Sequence, residues 1–335
     1  MAKRVIFAVA GSGKTSYIVN QLNTVERSLV ITFTNNNYNN IQQKIISNFG
    51  YFPKNIKVFT YFSFLHSFCY KPLMFYKYET RGINYKWSPS HYAKGNARFI
   101  DKNKRLFYNR ISELLNRDGE LNSLNARIEK YFDNIFIDEI QDFAGHDFNF
   151  IKNIARANLG MLFVGDFYQH TYDTSRDGTV NANLHKDYER YKNQFVQIGI
   201  NVDTVSLSRS HRCSPTVCNF ITNSTGIEIH SHRDTDTIVK FITNQDEARG
   251  IIESNDIVKL FYKMHSQYNC YSYNWGESKG ADHFNDVCVV LYKEAAKYYR
   301  NNELYKLTQL NKNRFYVACS RSRGNLYLLT NDYFN

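Results

Sequence analysis

Two rhythms of apolar and polar positions run along this chain. Short β-branched, apolar runs at residues 5–9, 29–34, 56–60, 135–137 and 161–164 read as buried strands, and helical patterns fill residues 38–48 and 148–157 between them. Strands alternating with helices predict an α/β fold built on a mostly parallel sheet. Residues 71–133 break the rhythm. That stretch opens rich in Tyr, Lys, Gly and Ser and continues as a charged segment, read as helical near residues 102–116, so it is expected to be a small helical insertion between core strands. A second α/β unit begins near residue 205, with strands expected at 237–242, 286–291 and 325–329. The expected domains are residues 1–204, carrying the insertion, and 205–335. No internal repeat or heptad pattern is present.

Length agrees with that division, because 335 residues are enough for two domains that each bury a core. With 42 Lys and Arg against 31 Asp and Glu the net charge is +11, and 16% of residues are aromatic. This composition excludes low-complexity disorder and collagen, and no stretch reads as a membrane span. Positive charge and flat rings suit a polyanion whose bases stack, as single-stranded nucleic acid does, but AT-rich coding raises the same residue types. The six cysteines form no CxxC pair, which argues against a zinc ribbon or a disulfide framework and points to a reducing cytoplasm. The apolar run 5–10 ends in Gly11-Ser12-Gly13-Lys14, so it is not read as a targeting segment.

That same junction carries the first chemistry. The first strand runs into Ala10-Gly11-Ser12-Gly13-Lys14-Thr15 and then into an apolar helix. Glycines let successive backbone N–H groups turn toward a phosphate, and the helix N-terminus adds positive potential. Lys14 is expected to bridge the β- and γ-phosphates of ATP and Thr15 to hold Mg²⁺. The general loop pattern begins with Gly where this chain has Ala8. An NTP site also needs an apolar strand ending in carboxylates, and Asn134-Ile135-Phe136-Ile137-Asp138-Glu139-Ile140-Gln141-Asp142 supplies one. Asp138 is expected in the Mg²⁺ shell and Glu139 as the base that takes a proton from the attacking water.

Together AGSGKT and DEIQD resemble superfamily 1 helicases of the UvrD/Rep type, and further segments follow in that family's order. Val30-Ile31-Thr32-Phe33-Thr34-Asn35 resembles motif Ia, Thr60-Tyr61-Phe62-Ser63-Phe64 motif Ib and Val164-Gly165-Asp166-Phe167-Tyr168-Gln169 motif III. Leu207-Ser208-Arg209-Ser210-His211-Arg212 resembles motif IV, Trp275-Gly276-Glu277-Ser278-Lys279-Gly280 motif V and Phe315-Tyr316-Val317-Ala318-Cys319-Ser320-Arg321 motif VI. The resemblance implies two RecA-like P-loop NTPase domains with ATP between them. It implies that Gln169 senses the γ-phosphate or places the water, and that Arg212 and Arg321 offset charge as the phosphoryl leaves. By the same resemblance His211 stands where an aromatic stacks on adenine, and Gly280 and Asp282 stand near the ribose contact. Phe33, Thr34, Asn35, Thr60, Phe62 and Tyr172 become the implied nucleic-acid contacts, Tyr172 being the aromatic nearest to Thr174, which replaces the family's base-pin Trp.

Two further departures bear on function. Residues 1–9 ahead of the loop hold no Gln of the kind the family uses to read adenine, and only 67 positions separate Arg212 from Lys279, where relatives insert a large accessory domain. The resemblance therefore implies a stripped ATP-dependent translocase or helicase on single-stranded DNA, moving 3′ to 5′ by analogy, with no membrane involvement and with room for a protein partner in place of the accessory domain. An NTP-dependent switch serving a nuclease or replication complex, and an RNA-directed motor, stay open at this point. No compact metal-ligand pattern marks a nuclease.

Overall fold

The computed structural model describes residues 2–90, 92–118, 120–171 and 179–334. Eight strands come first: β1 (Lys3–Phe7), β2 (Ser28–Thr32), β3 (Ile56–Thr60), β4 (Gly82–Asn84), β5 (Arg105–Phe107), β6 (Asn134–Asp138), β7 (Gly160–Gly165) and β8 (Asn201–Asp203). Six of them form one sheet in the order β3-β2-β6-β7-β1-β8. Pairing is parallel from β3 through β2 and β6 to β7 and again between β1 and β8. Strands β2, β6 and β7 are buried along their whole length, which is why they are continuous apolar runs rather than alternating ones.

Strands β2 and β3 hand the chain to helices through threonine caps. After β2, Thr34 caps the helix Asn35–Phe49 by accepting from Asn37 N, and Gly50 ends it at a left-handed φ of 77°. After β3, Thr60 accepts from Ser63 N and starts a helical run that continues through a π-helical stretch, Phe64–Tyr70, into Lys71–Tyr78. The carboxyl ends of β2, β3 and β6 hold Thr34, Thr60 and Glu139, the edge where open parallel sheets bind ligands.

The insertion is mainly helical, with helices Ile111–Arg117 and Leu121–Tyr131, but it also contains the parallel pair β4–β5. Residues 102–116, expected as one helical segment, are α-helical only from Ile111, after strand β5. Asp101 Oδ1 accepts from the backbone N of Asn103 and Arg105, turning the chain into strand β5 before the helix begins at Ile111. A local carboxylate-to-backbone competition of this kind overrides helix propensity.

A second sheet contains β11 (Val239–Phe241), β12 (Ile257–Phe261), β13 (Ser272–Asn274), β14 (Asp286–Leu291) and β15 (Leu326–Thr330), all parallel, in the order β11-β15-β14-β12-β13. Before it, β9 (Arg209–Ser210) pairs in parallel with β10 (His230–Ser231). Strand β12 went unread in the sequence because Lys259 interrupts its apolar run. That lysine is fully buried, and its Nζ donates to Ser254 O at 2.6 Å.

The chain folds into two compact units. One comprises residues 1–6, 15–165 and 172–203, and the other residues 7–14, 166–171 and 204–335. Among the described residues no helix is long and apolar enough to cross a membrane.

Candidate functional site

In the first unit, β6 ends at Asp138, which is 1% exposed. Thr15 Oγ1 donates to Asp138 Oδ2 at 3.1 Å, and Glu139 N donates to Asp138 Oδ1 at 3.0 Å. Glu139 itself sits at φ 57°, ψ 47°, a left-handed backbone that costs a non-glycine residue free energy and lifts its half-buried carboxylate off the strand direction. Gln141 Nε2 donates to Glu139 Oε2 at 2.5 Å and holds it there. This turn packs on the end of β7 only because Gly165 has no side chain, since a Cβ there would lie 2.7 Å from Ile140 Cγ2 and would also strike Gln141 Oε1.

The phosphate loop from Phe7 to Lys14 belongs to the second unit and is held by that unit's own segments. Val9 N donates to Leu207 O at 3.0 Å, and His211 N donates to Gly11 O at 2.9 Å. Gly11 has φ 71°, and a Cβ on it would lie 2.7 Å from both Arg212 Cβ and Ser210 Oγ. Ala10 N donates to the phenol of Tyr316 at 2.8 Å, and that hydroxyl donates onward to Asp166 Oδ2 at 2.9 Å. Burial, then the Asp166 carboxylate, push the Tyr316 phenol well above its usual range, so it stays protonated and can donate. Ser12 Oγ is buried without a hydrogen-bond partner, as fits a loop hydroxyl facing a phosphate. Lys14 is 9% exposed.

The two candidate arginines converge in this unit. Arg212 donates through Nη1 to Ser320 O at 3.0 Å and through Nη2 to Asp282 Oδ1. Arg321 Nη1 lies 3.5 Å from the same Asp282 oxygen, and its Nε donates to Val317 O at 3.2 Å. Burial, reinforced by Arg212, lowers the Arg321 guanidinium to about 10, with Asp282 opposing the shift. It therefore remains a cation at neutral pH. Two guanidiniums this close need an anion, and Asp282, whose side chain is 57% exposed, is the one on hand.

Gln169 is 3% exposed on the turn after β7, with its N donating to Asp166 O at 2.9 Å. His211 stacks on His232 with centroids 4.1 Å apart and planes 6° from parallel. The register of β9 and β10 explains the pair, because Ser210 and Ser231 are partners and each histidine is the next residue. Gly280 lies at φ 85° after Trp275, which is fully buried and donates through Nε1 to Leu260 O at 2.9 Å.

Among the implied nucleic-acid contacts, Thr34 and Thr60 act as helix caps, and Asn35 is exposed on the first turn. Phe33 is half-buried, edge-on to Phe143 at 6.5 Å, and half-buried Phe62 stacks on His66 at 5.8 Å. Tyr172 and Thr174 lie outside the described residues.

Tyr316, Asp166 and Ser210 stand in the sequence only as parts of longer segments, without roles of their own. Their participation in the loop's support comes from contacts spanning more than 100 positions, and no local pattern reports those. Among the described residues no group of three or more His, Cys, Asp or Glu could hold a metal ion. The Thr15 hydroxyl and Asp138 carboxylate are hard oxygen donors of the kind Mg²⁺ takes when phosphate and water complete its shell.

The family model described as the viral superfamily 1 RNA helicase core domain matches residues 94–330, and that of the UvrD/REP helicase N-terminal domain matches residues 2–110. Among solved structures, the arterivirus nonstructural protein 10 helicase in complex with DNA is similar at 15% identity and TM-score 0.53 over 98% of this chain. The same arterivirus helicase without DNA gives the same identity and TM-score. This chain covers 60% and 59% of those two chains. At that identity the likeness shows the fold, an α/β architecture consistent with two RecA-like domains. No curated protein matches the sequence.

Proposed function

The chain belongs to the viral superfamily 1 RNA helicase family, and on that footing we propose that it is an ATP-driven motor that moves along single-stranded nucleic acid. The observation that carries the reading is the Thr15–Asp138 hydrogen bond beside left-handed Glu139, because it puts a metal-type donor pair and a second, separate carboxylate at one strand end.

In this reading Lys14 and the backbone of Ala10–Gly13 take the β- and γ-phosphates. Thr15 and Asp138 would hold Mg²⁺, which would supply positive charge against the phosphates. Glu139 accepts the proton of the attacking water, and Gln169 orients that water. Arg212 and Arg321 exchange their shared Asp282 carboxylate for phosphate oxygens and stabilise charge as the γ-phosphoryl departs. Arginines in such a role contribute on the order of 10³ to 10⁵ in rate. His211, backed by His232, offers a flat face to the base, and Asp282 and Gly280 border the sugar.

Strand polarity of 3′ to 5′ rests on the UvrD/Rep resemblance alone. For the track, the viral RNA helicase family favours RNA as a second reading beside DNA. Steady-state ATPase measured alone, with oligo-dT and with a matched oligo-U separates them. Stimulation by either strand is expected and its preference names the track; stimulation by neither ends the motor reading. Displacement of streptavidin from biotinylated strands then distinguishes a motor from an NTP-dependent switch, which would not displace it.

A further inference from the structure

A row of rings stands on and beside the insertion, outside the nucleotide chemistry. Strands β4 and β5 are parallel, with Gly82 opposite Arg105 and Asn84 opposite Phe107. The residues that follow, Tyr85 and Tyr108, therefore leave the two strands side by side. Their rings stack with centroids 6.0 Å apart and planes 30° from parallel. Phe62, at the start of the helical run after β3, lies 5.4 Å from Tyr85 with its plane tilted by 53°, and backs the pair while stacking on His66. Tyr85 is 64% exposed, Tyr108 43% and neighbouring Trp87 61%, with Lys86 Nζ 5.4 Å from the Trp87 ring.

These rings are held, not loose. Asn84 is 4% exposed, and its Oδ1 accepts from Lys86 N at 3.2 Å and Trp87 N at 3.0 Å while its Nδ2 donates to Asp101 Oδ2 at 2.8 Å. A carboxamide buried to fix the turn keeps Tyr85 and Trp87 out of any core. Leaving Tyr85, Trp87 and Tyr108 in water forfeits the burial that normally stabilises such rings, and a pre-ordered aromatic row is what unstacked bases use. The centroid spacings are shorter than the roughly 7 Å needed to admit a base between two rings, so bases would lie on the exposed faces of Tyr85 and Tyr108.

We propose that Tyr85 and Tyr108 form a base-stacking platform for single-stranded nucleic acid on the inserted region, backed by Phe62 and with Trp87 and Lys86 at its border. This rests on the motor reading, since it assigns the track of that motor. The platform grips bases rather than phosphates, so its loss is felt only by strands that have bases.

The test compares wild type, Tyr85→Ala/Tyr108→Ala and Tyr85→Phe/Tyr108→Phe by anisotropy with fluorescein-labelled dT20 and a labelled abasic strand of equal length. The alanine pair is expected to raise Kd for dT20 at least about fivefold, the phenylalanine pair to bind as wild type does, and the abasic strand to bind all three alike. Basal ATPase without nucleic acid is expected to be unchanged in both variants, which shows that they are folded. If wild type binds dT20 and the alanine pair binds it equally well, the platform is overturned and the motor reading stands, leaving the rings as a protein-docking face. Equal loss on dT20 and the abasic strand also overturns base stacking. Wild type that binds neither strand overturns both readings.

Discussion

The phenol of Tyr316 donates to Asp166 Oδ2 at 2.9 Å while accepting from Ala10 N at 2.8 Å, so one hydroxyl ties the phosphate loop to the turn that carries Gln169. All three groups are in one unit. Tyr316→Phe keeps the ring and removes only the hydroxyl, leaving a buried carboxylate oxygen and a loop N–H without their partner. The expected outcome is a loss of about 1–3 kcal/mol in unfolding free energy and a raised KM for ATP. Denaturant unfolding with ATPase kinetics checks it, and a variant indistinguishable from wild type in both would deny the tie its role.

Lys14→Ala is expected to abolish ATP binding and turnover together. Glu139→Gln is expected to lose turnover while still binding ATP, because the amide keeps the shape but cannot take a proton. Equilibrium binding of a fluorescent ATP analogue beside single-turnover hydrolysis reads the two apart. Normal turnover in Glu139→Gln would sink the base assignment.

Gly165→Ala is expected to act on chemistry rather than binding. Its new Cβ pushes against Ile140 and Gln141, and Gln141 is the residue hydrogen-bonded to Glu139. Displacing the base by a fraction of an ångström should lower kcat about 10- to 100-fold with little change in ATP affinity. A matching loss of ATP affinity would show instead that the phosphate loop had moved.

Asp282→Asn takes away the carboxylate that Arg212 and Arg321 share. The nucleotide-free protein should melt at a lower temperature because two adjacent guanidiniums lose their anion. Saturating ATP should then raise Tm by more than it does in wild type, since triphosphate charge substitutes for the missing one. Calorimetry with and without ATP checks the sign, and a smaller upshift in the variant would separate Asp282 from the phosphate-facing charge.

Much of the site's chemistry was legible in the chain because it is local. A phosphate loop needs contiguous residues, so Gly11 through Thr15 appear as a string, and Asp138-Glu139 follows an apolar run because a buried parallel strand must end somewhere polar. The alternation of strands and helices was readable for the same reason: β2, β6 and β7 are buried on both faces and carry unbroken apolar runs. Strand β12 was not, since Lys259 satisfies its charge-bearing end on Ser254 O, a contact that exists only once the turn has formed.

What the residues determined by themselves was therefore the kind of chemistry and the α/β plan. Only the tertiary structure decided which groups share a proton or a charge. Tyr316 meets Ala10 from 306 positions away, and Arg212 and Arg321 meet on Asp282. Parallel register set Tyr85 beside Tyr108 and His211 beside His232 by aligning the last paired residues of two strands. Such pairings depend on how strands align, and alignment is an outcome of burial summed over the sheet rather than of any residue's own preference.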